Sequence, residues 1–124
     1  MGGVTYKGVF NIDLYEEIQR LMAELTASIK RLRDNGANLA EAERDYKITL
    51  RKEALRLRAG DMPVTLINNI IYGVEDVAEK RFKRDIEQAT YDANKEHINV
   101  TKLKLRILEA QLAREWGASG KGDI

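Results

Sequence analysis

Chemistry at neutral pH usually needs a histidine, a thiolate or a converging set of carboxylates, and this chain offers little of each. His97 is the single histidine, and there is no cysteine. On a helix the neighbours of His97 four residues away are Ala93 and Thr101. Neither is a carboxylate that could orient an imidazole, and no Glu-x-x-His or His-x-x-x-His pair is present to hold a metal. The expectation is therefore a partly exposed polar residue, with no catalytic, cofactor-binding or metal site. The carboxylates alternate with bases: Glu16 with Arg20, Glu43 with Lys47, Asp76 with Lys80 and Glu79 with Lys83 are i, i+4 pairs. Each would add about 0.2–0.5 kcal/mol to an exposed helix, which describes a solvated face. Gly117-Ala118-Ser119-Gly120-Lys121-Gly122 looks like part of a phosphate loop, but its spacing differs and no strand precedes it.

Basic residues come closest to a binding motif. Arg44, Arg51 and Arg58 are spaced by seven, with Lys47 between them, so one helical face would carry all four. Such a stripe could follow phosphates, and nucleic acid is one partner class to consider. Few aromatic residues interleave to stack bases, and Val74-Glu75-Asp76 puts acid where a recognition helix would meet phosphate. The other candidate surface is apolar: Val64, Leu66, Ile67, Ile70, Ile71 and Tyr72 crowd nine residues, and Trp116 stands apart near the C-terminus. This segment is either a lid on the end of a helical bundle or a protein-docking surface.

The elements that must position these residues are helices. One third of the 124 residues are charged, only 6% are aromatic, and there is one proline. That composition suits long amphipathic helices rather than sheets. The net charge of +1 gives no general attraction to nucleic acid or anionic lipid. Met1 to Gly8 lacks the apolar centre of a signal peptide, Tyr6 argues against myristoylation, and no stretch approaches the ~20 apolar residues of a membrane span. The expectation is a cytoplasmic protein with no membrane partner.

Residues 1–11 read as an N-terminal arm, 12–116 as a helical domain and 117–124 as a flexible tail. Within the domain, Leu14, Ile18, Leu21/Met22, Leu25, Ile29 and Leu32 step by fours and threes, predicting a first helix capped by Asn11 or Asp13 and closed by Asn35-Gly36. Leu39, Ala42, Tyr46, Leu50, Ala54 and Leu57 predict a second helix that folds back as an antiparallel hairpin, with Ile48 and Leu55 widening its stripe. Gly60 should close it, and Pro63 fits the first turn of a short helix ending at Gly73; periodicity alone would equally allow a buried strand over residues 64–72, and the Gly73 stop favours the helix.

From Val74 to Trp116 there is neither proline nor glycine. A single helix there would be roughly 63 Å long at about 1.5 Å per residue. Phe82, Ile86, Ala89, Ala93, Val100, Leu103, Ile107 and Ala110 form one stripe; Ile98, Leu105, Leu108 and Leu112 form a second. Two apolar stripes on one helix ask for more cover than two shorter helices supply. The fold class expected is all-α: a helical hairpin plus one very long C-terminal helix in a coiled-coil-like bundle, assembled as a homo-oligomer with a dimer favoured.

Three segments carry a resemblance: Ala40-Glu41-Ala42-Glu43-Arg44-Asp45-Tyr46, Leu57-Arg58-Ala59-Gly60-Asp61-Met62-Pro63-Val64-Thr65-Leu66-Ile67, and Leu108-Glu109-Ala110-Gln111-Leu112-Ala113-Arg114-Glu115-Trp116. Through them the chain resembles small coiled-coil-rich helical proteins of unknown function from phages and prophages of Gram-positive bacteria. The resemblance implies a part in replication, recombination or host-interaction modules and brings no catalytic residues. The function expected is a non-enzymatic oligomeric scaffold docking on a host or phage protein. Alternatives are a nucleic-acid-binding accessory protein, or a small-nucleotide-binding protein with its pocket at the oligomer interface.

Overall fold

The computed structural model describes residues 12–122, with side chains through Ala118; the expected N-terminal arm, and Asn11 as a cap, lie outside the described residues. The order is α1 (Ile12–Ala59), α2 (Val64–Ile70), one turn of 3-10 helix (Ile71–Gly73) and α3 (Glu75–Gly122), with no strand among the described residues. The all-α expectation holds.

The helical hairpin expected around Asn35-Gly36 does not form. α1 is one helix of 48 residues that runs straight through both. A glycine inside a helix costs only about 1 kcal/mol relative to alanine, so packing overrides it easily. Here the packing is regular: Leu32, Asn35, Leu39, Ala42 and Tyr46 are buried or half-buried in 3-4-3-4 steps that never break at the glycine. Asn35 accepts a 3.2 Å hydrogen bond from Asn94 instead of capping a helix end. Asp13 lies within the first turn of α1, where its charge suits the helix dipole. A second glycine also fails as a stop, because α3 continues past Gly117 to Gly122.

The chain forms two compact units. The first joins residues 12–31 of α1 to residues 95–122 of α3. Its core is Leu14, Ile18, Leu21 and Leu105, with Leu25, Leu108 and Leu112 packed against them. In the middle turns of this part of α1 the buried side chains are Leu21 and Ser28, whereas Met22 and Ile29 are both about half exposed. The second unit is Leu32–Asn94. Its core is Tyr46, Ile67, Ile71 and Val77, joined by Leu50, Ala54, Leu57, Met62 and Val74. Val77 is wholly buried.

The turn after α1 explains how α2 reaches that core. Asp61, not Gly60, takes the left-handed conformation, at φ 64°. The Met62 N–H bonds the Leu57 carbonyl at 3.3 Å and the Asp61 N–H bonds the Arg58 carbonyl at 3.0 Å. This is the paired-bond pattern of a Schellman C-cap, with apolar Met62 and Leu57 both turned to the core. Pro63 then sits one residue earlier than expected, as the N-cap of α2, with φ −60° and ψ 143°. Its carbonyl accepts the first helical bond, from the Ile67 N–H at 3.0 Å.

Candidate interaction surfaces

α2 has two faces, one buried and one exposed. Ile67 and Ile71 point into the core of the second unit, whereas Val64, Leu66, Ile70 and Tyr72 are exposed. The segment is thus a lid on one side and an open apolar surface on the other. Four-residue spacing separates them: Ile67 and Ile71 lie on one face, Leu66 and Ile70 on the next. At the edge of the open face, the Arg81 guanidinium lies over the Tyr72 ring at 5.1 Å. It leaves the ring a polar margin of the kind found at the rim of protein interfaces.

On α3 the two predicted stripes separate by exposure. In the first unit, Ile98, Thr101 and Leu105 are buried, while Val100, Leu103 and Ile107 are 40%, 50% and 57% exposed. In the second unit, the inward positions are Val77, Lys80, Arg84, Glu87, Tyr91 and Asn94, while Phe82 and Ile86 are 66% and 47% exposed. Two of the polar inward residues, Arg84 and Asn94, are held by side chains of α1. Arg84 lies over the Tyr46 ring at 4.7 Å, donates to Asp85 at 2.8 Å and to Glu43 at 3.4 Å. The bond to Asp85, helped by Glu43, raises its pKa further. Trp116 is exposed.

The basic stripe Arg44, Lys47, Arg51 and Arg58 does lie together on the exposed side of α1. Arg44 approaches Asp45 at 3.5 Å, Lys47 approaches Glu43 at 3.5 Å, and Arg58 donates to the Met62 carbonyl at 3.1 Å. Two of the four cations therefore stand beside carboxylates of their own helix, and one serves the C-cap. A groove of about 430 Å³ lies nearby, lined by Thr49, Lys52, Glu53, Asp76, Glu79 and Lys80. Three carboxylates against two ammonium groups make it a poor cradle for phosphate.

His97 has a partner that sequence spacing could not show. Its Nε2 lies 3.4 Å from Glu24 Oε2, a residue 73 positions away on α1. The same oxygen accepts from Arg31 at 2.7 Å and from the fully buried Ser28 at 3.0 Å, and Arg31 also donates to Ser28 at 2.7 Å. These bonds, Arg31 foremost, lower the Glu24 pKa from 4.5 to about 2. A carboxylate so stabilised is too weak a base to activate Ser28, and the imidazole faces the carboxylate rather than the hydroxyl. The cluster fastens α1 to α3 within the first unit. Arg20 likewise takes Glu17, at 2.8 Å, rather than Glu16.

Among the described residues no group of three or more His, Asp or Glu could hold a metal, and no helix is long and apolar enough to cross a membrane. No family model matches the sequence, no curated protein is significantly similar to it, and no solved structure matches its fold.

Proposed function

We propose that this chain is a non-enzymatic helical interaction protein, an oligomeric scaffold that docks on another protein through the outward face of α2. The observation carrying this reading is the pair of isoleucines at 67 and 70. The same short helix buries Ile67 at 6% exposure and leaves Ile70 at 39%, beside exposed Val64, Leu66 and Tyr72. The anchoring of one face makes the other rigid, so little ordering entropy is lost when a partner covers it. The resemblance to phage and prophage proteins makes a host or phage protein the expected partner, in the cytoplasm.

The test is capture of a partner from host lysate by the wild-type chain and by a Leu66→Asp, Ile70→Asp variant. The reading requires a protein lost from the variant at an unchanged melting temperature. Equal capture by both would remove α2 as the docking face. Retention of nucleic acid at ~50 mM salt, weakened by Arg44→Ala, Arg51→Ala and Arg58→Ala together, would favour the basic stripe instead.

A further inference from the structure

We infer that the outward stripe of α3 is covered by the α3 of a second copy of this chain, running antiparallel. This deepens the oligomeric part of the reading above, and docking on α2 stands or falls separately. The stripe is exposed within each unit: Phe82 and Ile86 in one, Val100, Leu103 and Ile107 in the other. Their spacing, with Ala89, Ala93 and the polar Glu96, follows steps of four and three. That is a coiled-coil seam, which fits a second helix better than a sheet or a loop.

Charge and size choose the occupant and its direction. The stripe is bulky at both ends and small in the middle. In an antiparallel copy, Phe82 faces Ile107 of the second copy, Ile86 faces Leu103, and Ala89 faces Val100. Asp85, flanking the first half, then meets Arg106, flanking the second half. Two-fold symmetry makes each of these contacts twice. The small Ala89 and Ala93 leave Glu96 room to keep its carboxylate in water. The one like-charge pairing is Lys83 with Lys104, and Lys104 is already near enough to Glu17 of its own chain to lower that carboxyl's pKa. A parallel copy would put Glu96 against Glu96 and leave Asp85 with only the Arg84 of its own chain.

The chain has no cysteine, so single cysteines report the pairing cleanly. Phe82→Cys and Ile107→Cys chains, mixed in equal amounts, dissociated and reassembled before mild oxidation, should give mainly the mixed disulfide. Both sites point outward, and circular dichroism should show the fold kept. Light scattering of the wild type should give twice 14.1 kDa. Arg106→Asp should weaken the dimer about tenfold through like charges at Asp85, and adding Asp85→Arg should restore it. A monomer mass at 100 µM (on the order of a weak complex's concentration range) overturns the proposal. So does a dimer in which each cysteine variant links only to itself, which would mean parallel helices. An adduct that forms equally well after Arg106→Asp, with dimer strength unchanged, overturns the register.

Discussion

The two stretches of α3 solve opposite problems. Between Lys95 and Gly122 the helix turns Ile98 and Leu105 inward and still leaves Val100, Leu103 and Ile107 outside. Between Glu75 and Asn94 the inward side is Val77 and then a run of polar residues, Lys80, Arg84, Glu87, Tyr91 and Asn94, while Phe82 and Ile86 face out. In the first case apolar residues line both sides. In the second the less apolar side is the one used in the chain, made tolerable by Arg84 on Tyr46 and Asn94 on Asn35. The lesson is that periodicity finds a stripe without finding its partner. A helix face is buried because something packs on it, and polar residues can be the ones packed when their hydrogen bonds are met.

The sharpest break of this comparison uses two leucines two positions apart. Leu105→Ala should cost about 2–5 kcal/mol, because a buried side chain loses both transfer energy and packing. Leu103→Ala, half exposed, should cost under about 0.5 kcal/mol in a dilute monomer. Urea melts of the two variants measure both. Equal losses at low concentration would mean that Leu103 is packed within the chain. A loss at Leu103 that grows with concentration would locate it in an assembly. Ile67→Ala against Ile70→Ala repeats the contrast on α2, with the same ordering expected.

The polar pairing can be broken next. Asn94→Ala leaves the half-buried Asn35 amide without that donor and should cost about 1–3 kcal/mol. Replacing Asn35 and Asn94 together by leucine should recover most of the loss, since no polar group is stranded. A double variant more stable than wild type but mixed in mass would show that the asparagines select one pairing register.

Much of the fold was legible because burial in long helices follows simple spacing. Leu14, Ile18, Leu39, Ala42 and Tyr46 were all readable as inward residues, and Pro63 marked the true break. Gly36 was misread because glycine tolerates a helix interior as well as a C-cap; only the unbroken spacing from Leu32 through Asn35 to Leu39 distinguishes the two. Leu21 and Met22 were read together as one step of the stripe and only Leu21 is buried, while Ile29 was read in place of Ser28 because the buried position there is a serine. Its burial rests on Glu24 and Arg31, one turn away on either side. The partner of His97 was illegible, since 73 residues separate it from Glu24 and no local spacing reports a contact between helices.

Gly36 offers a smaller effect of opposite sign. A Cβ built there would lie 3.4 Å from Tyr91 Cε1, an ordinary contact. Gly36→Ala should therefore stabilise the chain by about 0.5–1 kcal/mol through helix propensity, read as a higher urea midpoint. Destabilisation would show that Tyr91 cannot give way and that the glycine is needed for close approach. Asp61→Gly should stabilise by a similar or lesser amount, by relieving the left-handed backbone at φ 64°.

The smallest effect is the acid response of Glu24, and its sign follows from linkage. The folded carboxyl has its pKa lowered from 4.5 to about 2, chiefly by the Arg31 bond and then by Ser28 and His97. A lowered folded pKa means that the unfolded chain binds the proton first as acid is added. The stabilisation is therefore whole above about pH 4.5 and falls away between there and about pH 2. Arg31 is exposed, so solvent screens the pair and the loss should be modest. The Glu24→Gln variant isolates it: wild type and variant should converge in stability as pH drops through that window, and a constant gap would show that the Glu24 charge contributes nothing.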